Sequence, residues 1–246
     1  MKVISFINHK GGVGKTTLAF NYAHYLGQKN KVLFMDLDPQ MAATFLFDNF
    51  EDKAFVGRIF REETVTPSAV TKNIDLLNSG SGLRLLEIKS FLHARPARAH
   101  LLKKYLAAAA DKYDYCVIDT APQIDMLLDS TIMNSQVCII PVQSEILPIL
   151  GLEAINKLIE EIRLAGNNAI NYFVAVNMFS KVTNLQKKIL AEMKAKYPKI
   201  VLENYIRRSI AVVEAQERKT PIFKSKKEVA ADFLRMFREL DRKMVI

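Results

Sequence analysis

The first 29 residues constrain the fold more than any other part of the chain. An apolar run, KVISFIN (2–8), is followed at once by a glycine-rich stretch, HKGGVGK (9–15), and then by a helical pattern over 16–29. A phosphate-binding loop requires this strand–loop–helix context. The glycines let successive backbone N–H groups turn inward, and the helix N-terminus adds its partial positive charge. The segment therefore predicts a preformed anion site.

The loop does not follow the usual pattern G-x-x-x-x-G-K-[ST]. His9 stands where the first glycine is expected, and Lys10 adds a second lysine. The remainder is in register, so we expect Lys15 to neutralise the β- and γ-phosphates and the Thr16 hydroxyl to complete a Mg²⁺ shell. The predicted nucleotide-binding residues of the loop are Gly11, Gly12, Val13, Gly14, Lys15, Thr16 and Thr17.

Short apolar runs alternate with longer helical patterns along the rest of the chain. Continuous Val, Ile, Leu and Phe runs indicate strands covered on both faces, as in a parallel sheet. We expect one doubly wound α/β domain over residues 1–246, with a mostly parallel sheet and helices on both faces. Region 44–68 predicts only helix fragments and loop. Predicted strands are 2–8, 31–38, 74–79, 113–120, 136–143, 171–179 and 201–206, and predicted helices are 16–29, 83–111, 125–134, 151–165, 183–196 and 226–243.

Three aspartates stand where predicted strands end. Asp119 ends the apolar run YCVID, at the edge where α/β sheets place their ligands, so we expect it to hold Mg²⁺ through water. Asp36 and Asp38 are two residues apart at the end of the second strand and share a side of it. A turn-forming aspartate before Pro39 is the alternative for one of the pair, and it suits Asp36 better than Asp38.

The net charge of +9 is confined to the last quarter of the chain. Residues 1–180 contain 18 Lys+Arg and 18 Asp+Glu, whereas residues 181–246 contain 17 and 8. Such asymmetry predicts a surface that faces a polyanion, and a solvated face is the competing explanation. Candidate DNA contacts are Arg207, Arg208, Arg218, Lys219, Lys224, Lys226 and Lys227, with Lys187 and Lys188 as further candidates.

Neither the apolar runs nor the cysteines suggest a membrane or an oxidising compartment. No run of about 18 uncharged apolar residues occurs, so we expect no membrane span. Cys116 and Cys138 each lie inside an apolar run, which favours buried thiols over a disulfide or a metal pair. We therefore expect a cytoplasmic protein.

Several segments resemble the ParA/MinD family of ATPases in order and spacing. KGGVGKTT (10–17) resembles the family's deviant Walker A motif, and VLFMDLDPQMAAT (32–44) resembles its switch I segment. YDYCVIDTAP (113–122) resembles the Walker B strand and switch II. IIPVQSEILPILGLEAI (139–155) is similar to the segment after the next strand, and IRRSIAVVEAQERKTPIF (206–223) is similar to a late motif of the ParA (Soj-like) partitioning branch.

The resemblance implies roles for individual residues. Lys10 would reach into the nucleotide of a partner subunit when ATP brings two protomers together as a homodimer. Asp38 would position the attacking water, and Asp36 would stand in the outer shell of Mg²⁺. Adenine contacts fall on Asn177, Arg207 and Arg208. The resemblance also implies slow ATP hydrolysis, binding to nonspecific DNA, a nucleoid-associated location and a centromere-binding ParB-like activator that stimulates the ATPase.

The chain also departs from the branch at several positions. Arg207 and Gln216 stand where prolines are usual, Ala211 stands where an arginine is usual, and Met41-Ala42 stands where Gly-Asn is common. These changes weaken the transfer of roles near the adenine and of a DNA contact at position 211. They leave the phosphate chemistry intact.

Two other functions fit parts of the sequence. A MinD-like membrane switch would use the stripe of Phe233, Phe237, Leu240 and Met244 on a basic amphipathic helix. The same stripe more often packs on a sheet, and the acids in this segment dilute its charge, so we favour packing. A metabolic relative would need either paired cysteines for an iron–sulfur cluster or a dedicated substrate pocket, and the sequence indicates neither.

Overall fold

The computed structural model describes residues 1–143, 159–160, 163, 167–180 and 184–244. Within this part of the chain a seven-stranded sheet has the order β3-β4-β2-β5-β1-β6-β7. All neighbouring strands are parallel except β3 and β4, which pair antiparallel at one edge. The strands are β1 (Lys2–Phe6), β2 (Val32–Leu37), β3 (Ser68–Thr71), β4 (Ile74–Leu77), β5 (Tyr115–Thr120), β6 (Val137–Gln143) and β7 (Asn171–Asn177).

Helices cover both faces of the sheet. They are α1 (Lys15–Leu26), α2 (Ala42–Phe47), α3 (Gly82–Ala94), α4 (Leu101–Ala109), α5 (Met126–Met133), α6 (Asn184–Lys196), α7 (Ile210–Glu217) and α8 (Glu228–Met244). Alternate residues of β2 enter different cores: Phe34 packs in the cluster with α1 and α8, and Met35 packs in the cluster with α3 and α4. This alternation explains why the strands are apolar along their whole length, and it confirms the predicted doubly wound α/β fold.

The predicted helix 83–111 is wrong in its middle. It is two helices, α3 and α4, separated by a 3-10 turn at Pro96–His100. Proline has no N–H to donate and disfavours helical geometry in the residue before it. Arg95 accordingly has φ −139° and ψ 67°, outside the helical region.

The predicted strand 201–206 is also wrong. Val201 forms only an isolated bridge to Val174, and the ladder stops there. The backbone N–H groups of Glu203 and Asn204 instead donate to the carboxylate of Glu239 on α8, at 2.7 and 2.9 Å. The short strand β3 and helix α7 carried too little pattern to be predicted. The predicted helix 151–165 lies largely outside the described residues.

The C-terminal helix α8 packs on the sheet, as the preferred interpretation of its apolar stripe required. Phe233, Phe237 and Leu240 are each no more than 1% exposed. Asp241 accepts hydrogen bonds from the hydroxyls of Tyr22 and Tyr25 on α1. The stripe is therefore occupied by the protein's own core. Among the described residues, no helix has both the length and the apolar character needed to cross a membrane.

Both cysteines occupy the positions expected of them. Cys116 and Cys138 are buried free thiols on adjacent faces of the sheet core. Burial raises the pKa of Cys138 to about 12, so its thiol stays protonated at neutral pH.

Candidate functional site

The glycine loop connects β1 to α1 at the carboxyl edge of the sheet. Gly12 and Gly14 have φ of 73° and 93°, the left-handed region that other residues avoid. A Cβ on Gly14 would lie 2.2 Å from Nδ2 of Asn177, so a larger residue would collide with that side chain. Lys10, Gly11 and Gly12 are exposed at the lip of the loop. The loop therefore has the curled shape that the sequence predicts, and its mouth is open.

Side chains from two other strands hold the loop from below. Nδ2 of Asn177 donates to the carbonyl of Val13 at 2.9 Å, and Nε2 of Gln143 donates to the carbonyl of Gly12 at 3.1 Å. The side chain of Asn177 thus supports the loop, while its predicted adenine contact stays a prediction. Gln143 was missed by sequence reasoning; its position at the end of β6, beside β1, was the available signal.

Lys15 is a buried cation within this edge. Its side chain is 6% exposed. Burial lowers the pKa of Lys15, and the nearby carboxylates of Asp119 and Asp38 act in the opposite direction. The structure thus brings together Lys15, Asp38 and Asp119, which come from three separate predicted segments. Together they make a buried charged cluster directly beneath the loop.

Asp119 lies at the end of β5, opposite Phe6 of β1 and Asp36 of β2. It is completely buried, and neither carboxylate oxygen accepts a hydrogen bond from a residue that the structure describes. Burial raises its pKa well above the usual value, and Asp36 adds to this effect, whereas Thr16 and Lys15 oppose it. A buried carboxylate without donors fits a hydrated cation as its partner. The donor set of Asp119 and the Thr16 hydroxyl therefore fits Mg²⁺.

Asp36 is bonded in a different way. One of its oxygens accepts the N–H of Asp38, and the other accepts the N–H and hydroxyl of Thr44 and the hydroxyl of Ser79. Burial raises the pKa of Asp36 to about 6 despite these bonds. The carboxylate fixes the segment between β2 and α2. This geometry favours a structural role for Asp36 over the predicted place in a metal's outer shell.

Asp38 and the short helix after it form the wall opposite the loop. Oδ1 of Asp38 accepts the N–H of Gln40 at 2.9 Å, an Asx turn that leads into α2. Met41 precedes α2 with φ 58°, and Asp48 follows it with φ 54°. The left-handed conformation at Met41 explains why glycine suits this position better than most residues.

Comparison with known proteins decides the family. The family model described as AAA domain (AAA_31) matches residues 1–172. The sporulation initiation inhibitor protein Soj of Bacillus subtilis is 30% identical over 240 residues, which is 90% of each chain. The chain belongs to the ParA family. An uncharacterized protein of Methanocaldococcus jannaschii is 32% identical over 239 residues, 91% of each chain.

The solved structures agree with this ParA-family assignment. A plasmid partition protein of Borrelia burgdorferi bound to AMPPNP superposes with a TM-score of 0.84 at 27% identity, over 98% of this chain and 99% of that one. The mostly parallel seven-stranded sheet is thus the P-loop fold of the ParA family. At the level of the family, the chain is a P-loop ATPase.

The predicted DNA-binding residues of this ParA-family chain do not form one uniform set. Arg207 is engaged by α8: its Nε donates to Asp232 at 2.6 Å, and its guanidinium also pairs with Glu228. Its predicted contacts to adenine and DNA therefore compete with two carboxylates. Lys219 pairs with Asp48 at 2.5 Å. The remaining members are exposed: Arg208, Arg218, Lys224, Lys226 and Lys227.

An apolar groove opens beside the loop of this ParA-family protein. It has a volume of about 560 Å³, lies between α2 and α7, and reaches Thr16. Phe45, Phe50 and Val213 line it and are each about half exposed. Monomeric surfaces rarely keep such large apolar side chains together in contact with water. The exposed apolar area thus lies next to the anion site.

Proposed function

We propose that this chain is a partition-type switch: it binds ATP and Mg²⁺, dimerises while ATP is bound, and holds nonspecific DNA as the dimer. Slow hydrolysis, stimulated by a ParB-like activator, then releases the DNA. The observation that carries the proposal is the buried cluster beneath the loop. Lys15 there faces two aspartates, and Asp119 has no donor among the described residues. Such a cluster is incomplete until phosphates and a cation arrive.

The geometry supports ATP hydrolysis by alignment and charge neutralisation, which is most of what phosphoryl transfer requires. The loop N–H groups and Lys15 would bind the phosphates. Thr16 and Asp119 would hold Mg²⁺, which neutralises charge on the β- and γ-phosphates when bound. Asp38, placed in a turn on the wall opposite the loop, would orient the attacking water.

Two observations support dimerisation across this face. Lys10 is exposed at the lip of the loop, where a second protomer could receive it. Large apolar side chains are exposed on the elements that surround the site, and burying them would favour association. These side chains are Phe45, Phe50, Leu83, Ile124, Ile210 and Val213.

Sedimentation velocity tests the dimer. The wild type should sediment as a dimer with ATP and as a monomer with ADP or without nucleotide. Lys10→Ala should bind nucleotide and remain a monomer, whereas Lys29→Ala, which removes an exposed lysine at the far end of α1, should dimerise normally. Normal dimerisation of Lys10→Ala would refute the cross-subunit role.

Trapping tests the hydrolytic role of Asp38. Asp38→Ala should bind ATP and persist as a dimer, because the phosphate contacts remain while the group that orients water is lost. The measurement is ATP turnover together with the lifetime of the dimer after ATP is removed. Turnover equal to the wild type would exclude Asp38 from catalysis.

Salt dependence tests the DNA contacts. Sequence-independent binding depends on phosphate neutralisation, so the affinity for a random duplex in ATP should fall steeply with salt. Lys226→Ala combined with Lys227→Ala should weaken binding and reduce the salt slope by about 2, one for each lost contact. The control pair Lys29→Ala and Lys112→Ala, also exposed, should bind as the wild type does. A salt-independent affinity would contradict phosphate contacts.

The membrane alternative receives no support from α8. Phe233, Phe237 and Leu240 would have to leave the core before they could enter a bilayer. Asp232 and Glu239, on the same buried side, bind Arg207 and the backbone of residues 203–204. Detaching the helix would therefore expose both the core and two paired acids.

A further inference from the structure

Two residues with left-handed backbones meet beside the candidate ATP site. Asp48 (φ 54°) ends α2, and Lys219 (φ 53°) follows α7. The Nζ atom of Lys219 lies 2.5 Å from Oδ1 of Asp48 and 4.5 Å above the ring of Phe45. Non-glycine residues keep this conformation only where their surroundings impose it, and such positions concentrate at functional sites and switches. The ion pair thus joins two strained points of the chain.

The segment that contains Lys219 also contacts α1, just after the glycine loop. Nε2 of Gln216 donates to the Thr17 hydroxyl at 2.9 Å. Asn21 accepts the backbone N–H of Ile222 at 2.7 Å and donates to the Thr17 carbonyl at 2.8 Å. We call residues 216–222 the bracket. It is bonded on one side to the helix that follows the loop and on the other side to the helix that follows Asp38.

The bracket contacts groups that a nucleotide would also contact. The Thr17 hydroxyl accepts from Gln216, so its own proton is free to donate to a phosphate oxygen. Helix α2 begins three residues after Asp38, and its other end is held by Lys219. A shift of either Thr17 or α2 on nucleotide binding would therefore reach the bracket directly.

The other end of the bracket leads into basic residues. Arg218 lies within it, and Lys224, Lys226 and Lys227 follow within five residues of its end. All four side chains are exposed. The same short segment thus contacts the candidate ATP site and displays much of the positive surface that we propose for DNA.

We propose that Lys219 and Gln216 are positioning residues that couple the ATP site to the basic segment 218–227. Occupation of the site by a triphosphate moves α2, and the Asp48–Lys219 pair transmits that movement to the bracket. The inference rests on the proposed function for its two ligands. It adds the route by which ATP changes DNA binding, because a ligand shifts a conformation only through contacts that differ between the two states.

The pair itself contributes little to stability, which allows a clean test. Asp48 is 67% exposed and Lys219 30%, and ion pairs that exposed are weak. Lys219→Gly removes the ion pair and also suits φ 53°, so the fold should be as stable as the wild type or more so. Asp48→Asn removes the same pair from the other side. Lys219→Arg keeps it, and Arg218→Ala removes a neighbouring exposed charge as a matched control.

Hydrogen exchange reads the coupling without DNA. In the wild type, AMPPNP should slow exchange of residues 216–227 at least about fivefold relative to ADP. Lys219→Gly and Asp48→Asn should lose this difference while the loop, residues 10–17, stays protected. Lys219→Arg and Arg218→Ala should retain it. Gln216→Ala should weaken the response and lower the affinity for both nucleotides about two- to tenfold, the size of one hydrogen bond.

A DNA measurement separates coupling from contact. Lys219→Gly should reduce the ratio of duplex affinity in AMPPNP to that in ADP about fivefold or more. Arg218→Ala should weaken binding in both states and leave the ratio unchanged. A wild type whose loop is protected by AMPPNP, but whose bracket exchanges equally in both nucleotides, would overturn the coupling alone. Absence of protection in the loop would overturn the ATP site and the coupling with it.

Discussion

Two buried carboxylates in this protein have opposite surroundings. Glu239 on α8 is 4% exposed and accepts three hydrogen bonds, from the N–H groups of Glu203 and Asn204 and from the Asn204 side chain. Asp119 on β5 is fully buried and accepts none from the described residues. Because buried polar groups in folded proteins are normally satisfied, the exception at Asp119 indicates a place that a ligand completes.

The cations of the two regions differ in the same way. Arg207 bonds to Asp232 and Glu228, and its pKa is raised, mainly by the hydrogen bond to Asp232. Lys15 is held in a buried position where desolvation lowers its pKa. The C-terminal region therefore compensates its charges internally, whereas the carboxyl edge of the sheet leaves charges for an incoming anion and cation. Stability determines the first arrangement and ligand binding the second.

The largest effect that this comparison predicts is the loss of activity in Lys15→Ala. Turnover of ATP should fall about 10²- to 10³-fold, as when one preorganised charge on the reacting group is removed. Phosphate release at saturating ATP measures it, with Lys29→Ala as the control for an exposed lysine. The fold should survive, since the substitution removes a buried cation that no ligand yet neutralises. Wild-type turnover in Lys15→Ala would place the reaction elsewhere.

Glu239→Ala should lower the free energy of unfolding by about 2–3 kcal/mol, because three hydrogen bonds to a charged acceptor disappear and two backbone N–H groups lose their partner. Urea unfolding measures the change. Glu217→Ala, an exposed acid, should stay within about 0.5 kcal/mol of the wild type. Equal stabilities for the two variants would mean that Glu239 is not the connection that holds residues 203–204.

Asp119→Asn should act in the opposite direction and raise the free energy of unfolding without nucleotide by about 1 kcal/mol, since it removes the charge of a buried carboxylate that lacks donors. The folded pKa of Asp119 is raised above 3.8, so the wild-type carboxylate costs stability as pH rises above that value. The gap between Asn and wild type should therefore be absent below pH 3.8 and widen above it. Unfolding at several pH values measures it, and a pH-independent gap would contradict the assignment.

The sequence predicted the ATP edge well because its residues belong to ordered motifs. Each strand end is followed at once by the residue that matters, and parallel strands bring their carboxyl ends to one edge. Lys15, Asp38 and Asp119 therefore converge although they are about 20 to 80 residues apart. The doubly wound sheet followed from the same pattern of continuous apolar runs.

The C-terminal basic residues could not be resolved in this way, because a net charge has no positions in it. Whether Arg207 faces solvent depends on Asp232, 25 residues further on, and on the packing of α8. The strand expected at 201–206 failed for a related reason, since the side chain of Glu239 replaced the neighbouring backbone as acceptor. Such long-range partners leave no periodic signal in the local sequence.

Backbone strain provides the smallest and most specific extension of the comparison. Of the non-glycine residues described with positive φ, Met41, Asp48, Met178 and Lys219 border the ATP edge or its groove, and none lies in α8. Met41→Gly should therefore be more stable than Met41→Ala by about 1 kcal/mol, because both lack the methionine side chain and differ chiefly in the cost of a left-handed φ. Thermal unfolding of the two variants measures the difference. At Ala231, an exposed position inside α8, glycine should instead destabilise by about 1 kcal/mol relative to the native alanine, since only helical geometry is required there. If glycine destabilises both positions alike, Met41 is not held in the left-handed conformation, and the strain does not belong to the ATP edge.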